Sequence, residues 1–195
     1  MKMMKRFVSL FLLSVIAAFA VGCSPKVSKN INIWTNAEYS ELNYGKSLEI
    51  MMPTPQEVGV YNKVDFYIME GRSFFKYAEF AYCLQLEYEE QQYFQEKEKV
   101  LSEKKFLDEI ILLKNGTYEM PITECTLGDF HIKILNVEDE QANDAQHYPG
   151  TFGFIAFNDD MRIIRYCYLV QMSLDYFESK KQCVDYIEKS LNLEW

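Results

Sequence analysis

Between Tyr77 and Tyr88 the chain reads YAEFAYCLQLEY, and this alternation constrains the fold more than any other stretch. Ala78, Phe80, Tyr82, Leu84, Leu86 and Tyr88 share one parity, while Glu79, Gln85 and Glu87 take the other. A period of two gives a strand one apolar face, and that face must be covered inside a sheet. Further segments read as strands. VDFYIME at 64–70 is closed by Gly71, and DFHIKILN at 129–136 carries Phe130, Ile132 and Ile134 on one face. TFGFIAF and MRIIRYCYLVQM flank NDD as a hairpin. SLEIMM at 47–52 is strand-like, broken off by Pro53 and Pro55, and Asn115-Gly116 marks a turn.

The period becomes helical in two places. From Glu89 to about Leu107, the residues Tyr93, Phe94, Val100, Leu101 and Leu107 recur near helical spacing, with acids at the start and lysines later. Ser173 is placed to cap a helix over 174–191, whose Leu174, Phe177, Val184, Ile187 and Leu191 form one stripe. The order strands, helix, strands, helix, together with the hairpin, predicts an α+β fold: a mainly antiparallel sheet with the two helices packed on one face. The simplest packing sets Phe80, Tyr82, Leu84 and Leu86 against Phe177, Val184 and Ile187.

The N-terminus has its own logic. MKMMKR supplies Lys2, Lys5 and Arg6, and FVSLFLLSVIAAFAVG follows as an apolar run of about sixteen residues. These are the parts of a secretory signal, and the run is shorter than the roughly 20 residues that span a bilayer. AVGC at 20–23 resembles the lipobox of bacterial lipoproteins, with Ala20 where leucine is usual and Val21 where a smaller residue is usual. The resemblance implies a diacylglycerol on the Cys23 thiol and cleavage after Gly22. It divides the chain into a signal peptide over 1–22, a lipidated cysteine and tether over 23–30, and one globular domain over 31–195. The expected location is extracytoplasmic, on the outer face of the plasma membrane if the cell is Gram-positive. Two acyl chains anchor stably where one does not.

Loss of residues 1–22 from 195 leaves 173, enough for one domain with a sizeable core. Three cations leave with the signal, so the formal charge of −9 becomes −12. An acidic domain has no electrostatic pull towards nucleic acid or anionic lipid, so any membrane attachment must come from the lipid. Cys83, Cys125, Cys167 and Cys183 remain. Four cysteines allow three disulfide connectivities, but their wide spacing and apolar settings favour buried free thiols.

YAEFAYCLQLEYEEQQYFQEKEKVL, followed much later by FGFIAFNDDMRIIRYCYLVQMSLDY, resembles lipoproteins of Firmicutes. The shared pattern is a strand running into a Tyr-Glu-Glu-x-x-Tyr helix start, then a hairpin leading to Leu-Asp-Tyr. It covers about half of the mature chain and implies no activity.

Chemistry-bearing motifs are sparse. His131 and His147 are the only histidines; one of them with Asp129 or Glu124 could begin a metal site, but lone surface histidines are the ordinary case. No metal and no cofactor are expected. The chain has no Gly-x-Ser-x-Gly elbow and no glycine-rich phosphate loop. Acidic residues number 29, so some carboxylate pair is inevitable and carries no diagnostic weight. Glu87, Glu89 and Glu90 fit a strand's outer face and a helix's first turn. Eleven aromatics fall within 61–94, most on core parities. Tyr61, near a loop, and Tyr77, sharing a face with Glu79, are the candidates for stacking on a sugar or holding a protein partner.

These features favour a lipid-anchored binding or interaction module at the cell surface, with a protein or carbohydrate partner and no nucleic acid. The alternative is a small extracytoplasmic hydrolase acting on envelope material through a carboxylate pair. A substrate-binding subunit of an uptake system fits less well, since it needs two lobes around a cleft.

Overall fold

The structure, a computed structural model, describes residues 26–36, 38–39, 42–70, 78–112, 118–137, 147–191, 193 and 195. Its centre is a seven-stranded sheet. The strands in chain order are β1 (Lys26–Ser28), β2 (Lys63–Glu70), β3 (Phe80–Glu87), β6 (Glu124–Leu127), β7 (Phe130–Ile134), β8 (Thr151–Asn158) and β9 (Ile163–Val170). A separate ribbon pairs β4 (Ile111–Leu112) with β5 (Tyr118–Met120). Across the sheet the order is β1-β2-β3-β9-β8-β7-β6, and every neighbouring pair is antiparallel. Two meanders, β1 to β3 and β6 to β9, thus meet where β3 pairs with β9 from Phe80↔Val170 to Glu87↔Ile163. The fold is α+β.

The helices are α1 (Asn32–Thr35), α2 (Gly45–Met51), α3 (Glu90–Glu103) and α4 (Lys180–Leu191). Among the described residues no helix is long and apolar enough to cross a membrane. The helices divide between the two faces of the sheet, which corrects the expectation that two helices share one. One core joins Phe66, Tyr82, Leu84, Leu86, Ile164, Tyr166 and Tyr168 to Trp34 of α1, Leu48 and Met51 of α2, and Tyr93 and Val100 of α3. The other joins Ala81, Cys83, Cys167, Leu169, Phe152 and Phe154 to Cys183, Tyr186, Ile187 and Leu191 of α4. Tyr82 and Leu84 therefore do not meet Phe177 and Ile187. The physical reason lies in β3 itself: its opposite parity holds small apolar Ala81 and Cys83 before the polar Gln85 and Glu87, so a helix can approach there as well. The Ala78 N–H, donating to Ser190 Oγ at 2.9 Å, ties α4 to that end of β3.

Four boundaries differ from the sequence pattern. SLEIMM lies in α2, because Leu48, Met51 and Met52 at helical spacing bury one side and Pro53 stops the helix. The last helix begins at Lys180, capped by Ser179 Oγ accepting the Gln182 N–H at 3.1 Å; Leu174 and Phe177 precede it, with Leu174 N–H bonded to Gln171 O in a turn. α3 stops at Glu103, since Leu107 N–H bonds to Ile134 O in extended chain, and its Phe94 and Leu101 are exposed. Residues 26–28 of the expected tether form β1, pairing Lys26↔Glu70 through Ser28↔Ile68. The Asn115-Gly116 turn lies outside the described residues.

Candidate functional site

The α4 face of the sheet can be read row by row across its strands. Met69, Ala81, Leu169 and Phe152 are in register, and so are Tyr67, Cys83, Cys167 and Phe154. These rows belong to the core under α4. The next row runs Asp65, Gln85, Arg165, Ala156 and Ile132, and the one beyond it Lys63, Glu87, Ile163 and Asn158. The face turns polar beyond the rows that α4 covers, and a groove of about 490 Å³ opens there. This volume falls within the range of small-molecule sites.

Arg165 forms the floor. It is 6% exposed, donates Nε–H to Gln85 Oε1 at 2.7 Å, and holds its guanidinium carbon 4.0 Å from the Phe130 ring centre and 5.2 Å from that of Trp195. A desolvated guanidinium requires such company, since an unaccompanied buried charge is strongly destabilising. Trp195 is itself seated: its ring meets Phe130 edge-on at 5.7 Å, and its Nε1–H donates to Glu188 O at 3.3 Å. Lys29 extends over the Tyr67 ring, with Nζ 4.7 Å from the centre, and both line the groove. Burial, reinforced by Asp65, raises the Tyr67 hydroxyl pKa, so this phenol stays a neutral hydrogen-bonding group. Asp129 and Met161 line the groove as well. Asn158 is buried and its Oδ1 accepts the Met161 N–H at 2.8 Å, closing the β8–β9 turn. Aromatic faces, two side-chain amides, two cations and one carboxylate thus converge on one cavity.

No known protein family, curated protein or solved structure matches this chain. What the groove can do must come from its own chemistry.

The residues singled out in the sequence lie elsewhere. Tyr61 is half-buried and packs edge-on against Trp34, ring centres 5.8 Å apart, in the core on the opposite face of the sheet. Tyr77 and Cys23 lie outside the described residues. His131 and Glu124 do come together, Nε2 to Oε2 at 3.5 Å, but Lys133 Nζ shares that carboxylate at 3.2 Å. His147 is bound through its backbone to Thr151. Among the described residues no three His, Cys, Asp or Glu side chains are grouped to hold a metal. Glu89 accepts from Asn62 Nδ2 at 2.7 Å, and Glu90 stands in the first turn of α3.

Three carboxylates, Glu57, Glu96 and Glu103, line a second hollow of about 210 Å³ together with Lys99 and Lys104. Glu96 is nearly buried and accepts the Gly59 N–H at 3.0 Å. The Glu57 pKa is lowered, first by the Thr54 backbone N–H, which suits an ion-pair partner rather than a proton donor.

Two of the groove's residues carried a faint signal in the sequence. Arg165 is the single charged residue within IIRYCYLV, and an arginine inside an apolar strand calls for a partner. Gln85 sat at the polar parity of β3. Their adjacency depends on the β3–β9 pairing, which joins segments about 80 residues apart. Lys29 fell in the expected tether, and nothing marked Trp195.

Proposed function

We propose that this chain is a lipid-anchored extracytoplasmic binding module whose Arg165 groove takes a small saccharide of the cell envelope. The groove itself carries the reading: aromatic faces beside hydrogen-bonding and charged groups suit a ring with one apolar C–H face and polar edges. The signal-like N-terminus and the lipobox-like AVGC support the anchor. Lys29 is six residues after Cys23, and extended chain spans at most about 3.6 Å per residue. A lipidated Cys23 would therefore hold the groove within roughly 20 Å of the bilayer surface. Ligands there are membrane-proximal, and a domain of charge −12 adds no attraction of its own to anionic headgroups.

The test has two arms. Labelled palmitate should enter the wild-type protein and not Cys23→Ala; a wild type without label, released into the medium, would sink the anchor. Titration with the N-acetylglucosamine–N-acetylmuramic acid disaccharide should change Trp195 emission saturably over a constant background from Trp34, which is fully buried away from the groove. An unchanged spectrum together with no heat of binding would sink the saccharide reading.

A further inference from the structure

Two thiols face each other at the centre of the sheet. Cys83 on β3 and Cys167 on β9 are directly opposed in register, point to the α4 face, and bring their Sγ atoms to 3.4 Å. We propose that these two cysteines close into a cross-strand disulfide when the chain folds in an oxidising compartment. This goes beyond the binding reading and takes from it only the compartment.

Directly opposed residues of an antiparallel pair have Cα atoms about 4.5 or 5.5 Å apart, depending on the site. Both values fall inside the roughly 4.4–6.8 Å window of disulfides. Register already aims the two Cβ atoms the same way, so the bond requires side-chain rotation and only a small closing of the strand pair. Of the three possible connectivities, this pairing is the one with opposed sulfurs in contact. Cys125 on β6 lies near enough to Cys183 on α4 to act on its ionisation, yet the two have no register holding them together.

Both thiols are sealed in the folded protein, at 0% and 1% exposure, and burial holds the Cys167 thiol protonated. The thiolate is the attacking species, so exchange belongs to the stage before the sheet closes. The oxidant is a second disulfide, such as oxidised glutathione or a disulfide-bearing oxidoreductase. The Cys83 thiolate attacks it and expels one thiolate, giving a mixed disulfide. The Cys167 thiolate then attacks the Cys83 sulfur and expels the second. Two electrons and two protons pass from the cysteine pair to the oxidant, which leaves as two thiols. Once α4 packs over it, the bond is out of reach of small reductants.

The full chain refolded with a glutathione redox couple, blocked at free thiols and digested without reduction, tests this. A peptide pair linking Cys83 to Cys167 is expected, with Cys125 and Cys183 blocked. The oxidised protein should melt roughly 5–15 °C above protein refolded under reductant. Recovery of Cys83 and Cys167 as separately blocked peptides, or linked to other cysteines, overturns the proposal. Protein extracted directly from membranes and blocked at lysis gives a second reading that needs no refolding. A link there supports the pairing. A link formed in vitro but missing from the cell supports the geometry and counts against the extracytoplasmic location instead.

Discussion

Leu84→Ala combined with Ile187→Val probes the division of the two cores. Both side chains are fully buried, Leu84 among the residues facing α1 to α3 and Ile187 on α4. Truncating a buried leucine costs about 2–5 kcal/mol, and removing one methyl from a buried isoleucine about 0.5–1.5 kcal/mol. The sheet lies between the two sites, so they share no cavity. Their losses should add, giving about 2.5–6.5 kcal/mol for the pair, with deviation below about 0.5 kcal/mol. The milder Ile187→Val keeps most of that range below the roughly 5–15 kcal/mol stability of an ordinary domain. Phe152 and Tyr186 provide the contrast, since they lie on the α4 side with ring centres 6.2 Å apart. Replacing both by leucine should reveal a coupling of about 0.5–1.5 kcal/mol. Urea titrations of the six variants and the parent, read at constant m, supply each value. A coupling above about 0.5 kcal/mol between Leu84 and Ile187 would place both on one face and refute the arrangement.

Asp159→Asn should destabilise only above the carboxylate range. Burial alone would raise the Asp159 pKa, but hydrogen bonds from Lys97 at 2.6 Å and Tyr93 at 2.5 Å lower it overall. A lowered folded pKa gives stability that is present above the unfolded value near 3.9 and lost as pH falls through the folded one. With its side chain 56% exposed, the effect should stay below about 1 kcal/mol, and urea midpoints of parent and variant should converge at low pH. Equal midpoints at neutral pH would show that the bonds from Tyr93 and Lys97 to Asp159 add nothing to stability. Gly128→Ala should disturb the groove from behind, because Gly128 has φ +54 and an added Cβ would sit 2.0 Å from the Trp195 carbonyl oxygen. The expected loss is about 1–3 kcal/mol, with a red shift of Trp195 emission as the ring leaves Arg165. Unshifted emission would show that Trp195 is not held there.

The alternation of β3, the β8–β9 hairpin and the existence of α3 and α4 were legible because each rests on local periodicity. Helix ends were not: a tertiary bond from Leu107 to Ile134 ends the stretch after α3, and Ser179 supplies the cap expected of Ser173. SLEIMM shows the limit of short apolar runs, which fit a strand or a helix until Trp34 and the sheet select one side. The choice of face for α4 was hidden in side-chain size, in Ala81 and Cys83, and a hydrophobic pattern does not register size. The groove was hidden more deeply. Tyr61 and Tyr77 drew notice through local exposure arguments, whereas Arg165, Gln85, Lys29 and Trp195 meet only through strand order and the path of the last residues.

The open end of the sheet follows from the direction of α4. Ser190, near its C-terminal end, is fixed at Ala78 beside the Phe80 end of β3, while Cys183, near its start, is close enough to Cys125 of β6 at the sheet's edge to act on its ionisation. The helix therefore crosses the strands over the small residues, and the groove opens at the rows it does not reach. Leucines in those rows under a further helix would satisfy the packing, and an apolar replacement for a buried charge is often neutral or stabilising. The chain instead keeps Arg165 desolvated between Phe130 and Trp195 and holds it with Gln85. That choice is hard to explain by stability alone, and a cation fixed at the floor of a cavity is a means of recognition. Arg165→Met separates the two roles: a variant that folds as stably as the parent yet no longer responds to the disaccharide assigns the arginine to binding, whereas unchanged binding returns it to the core.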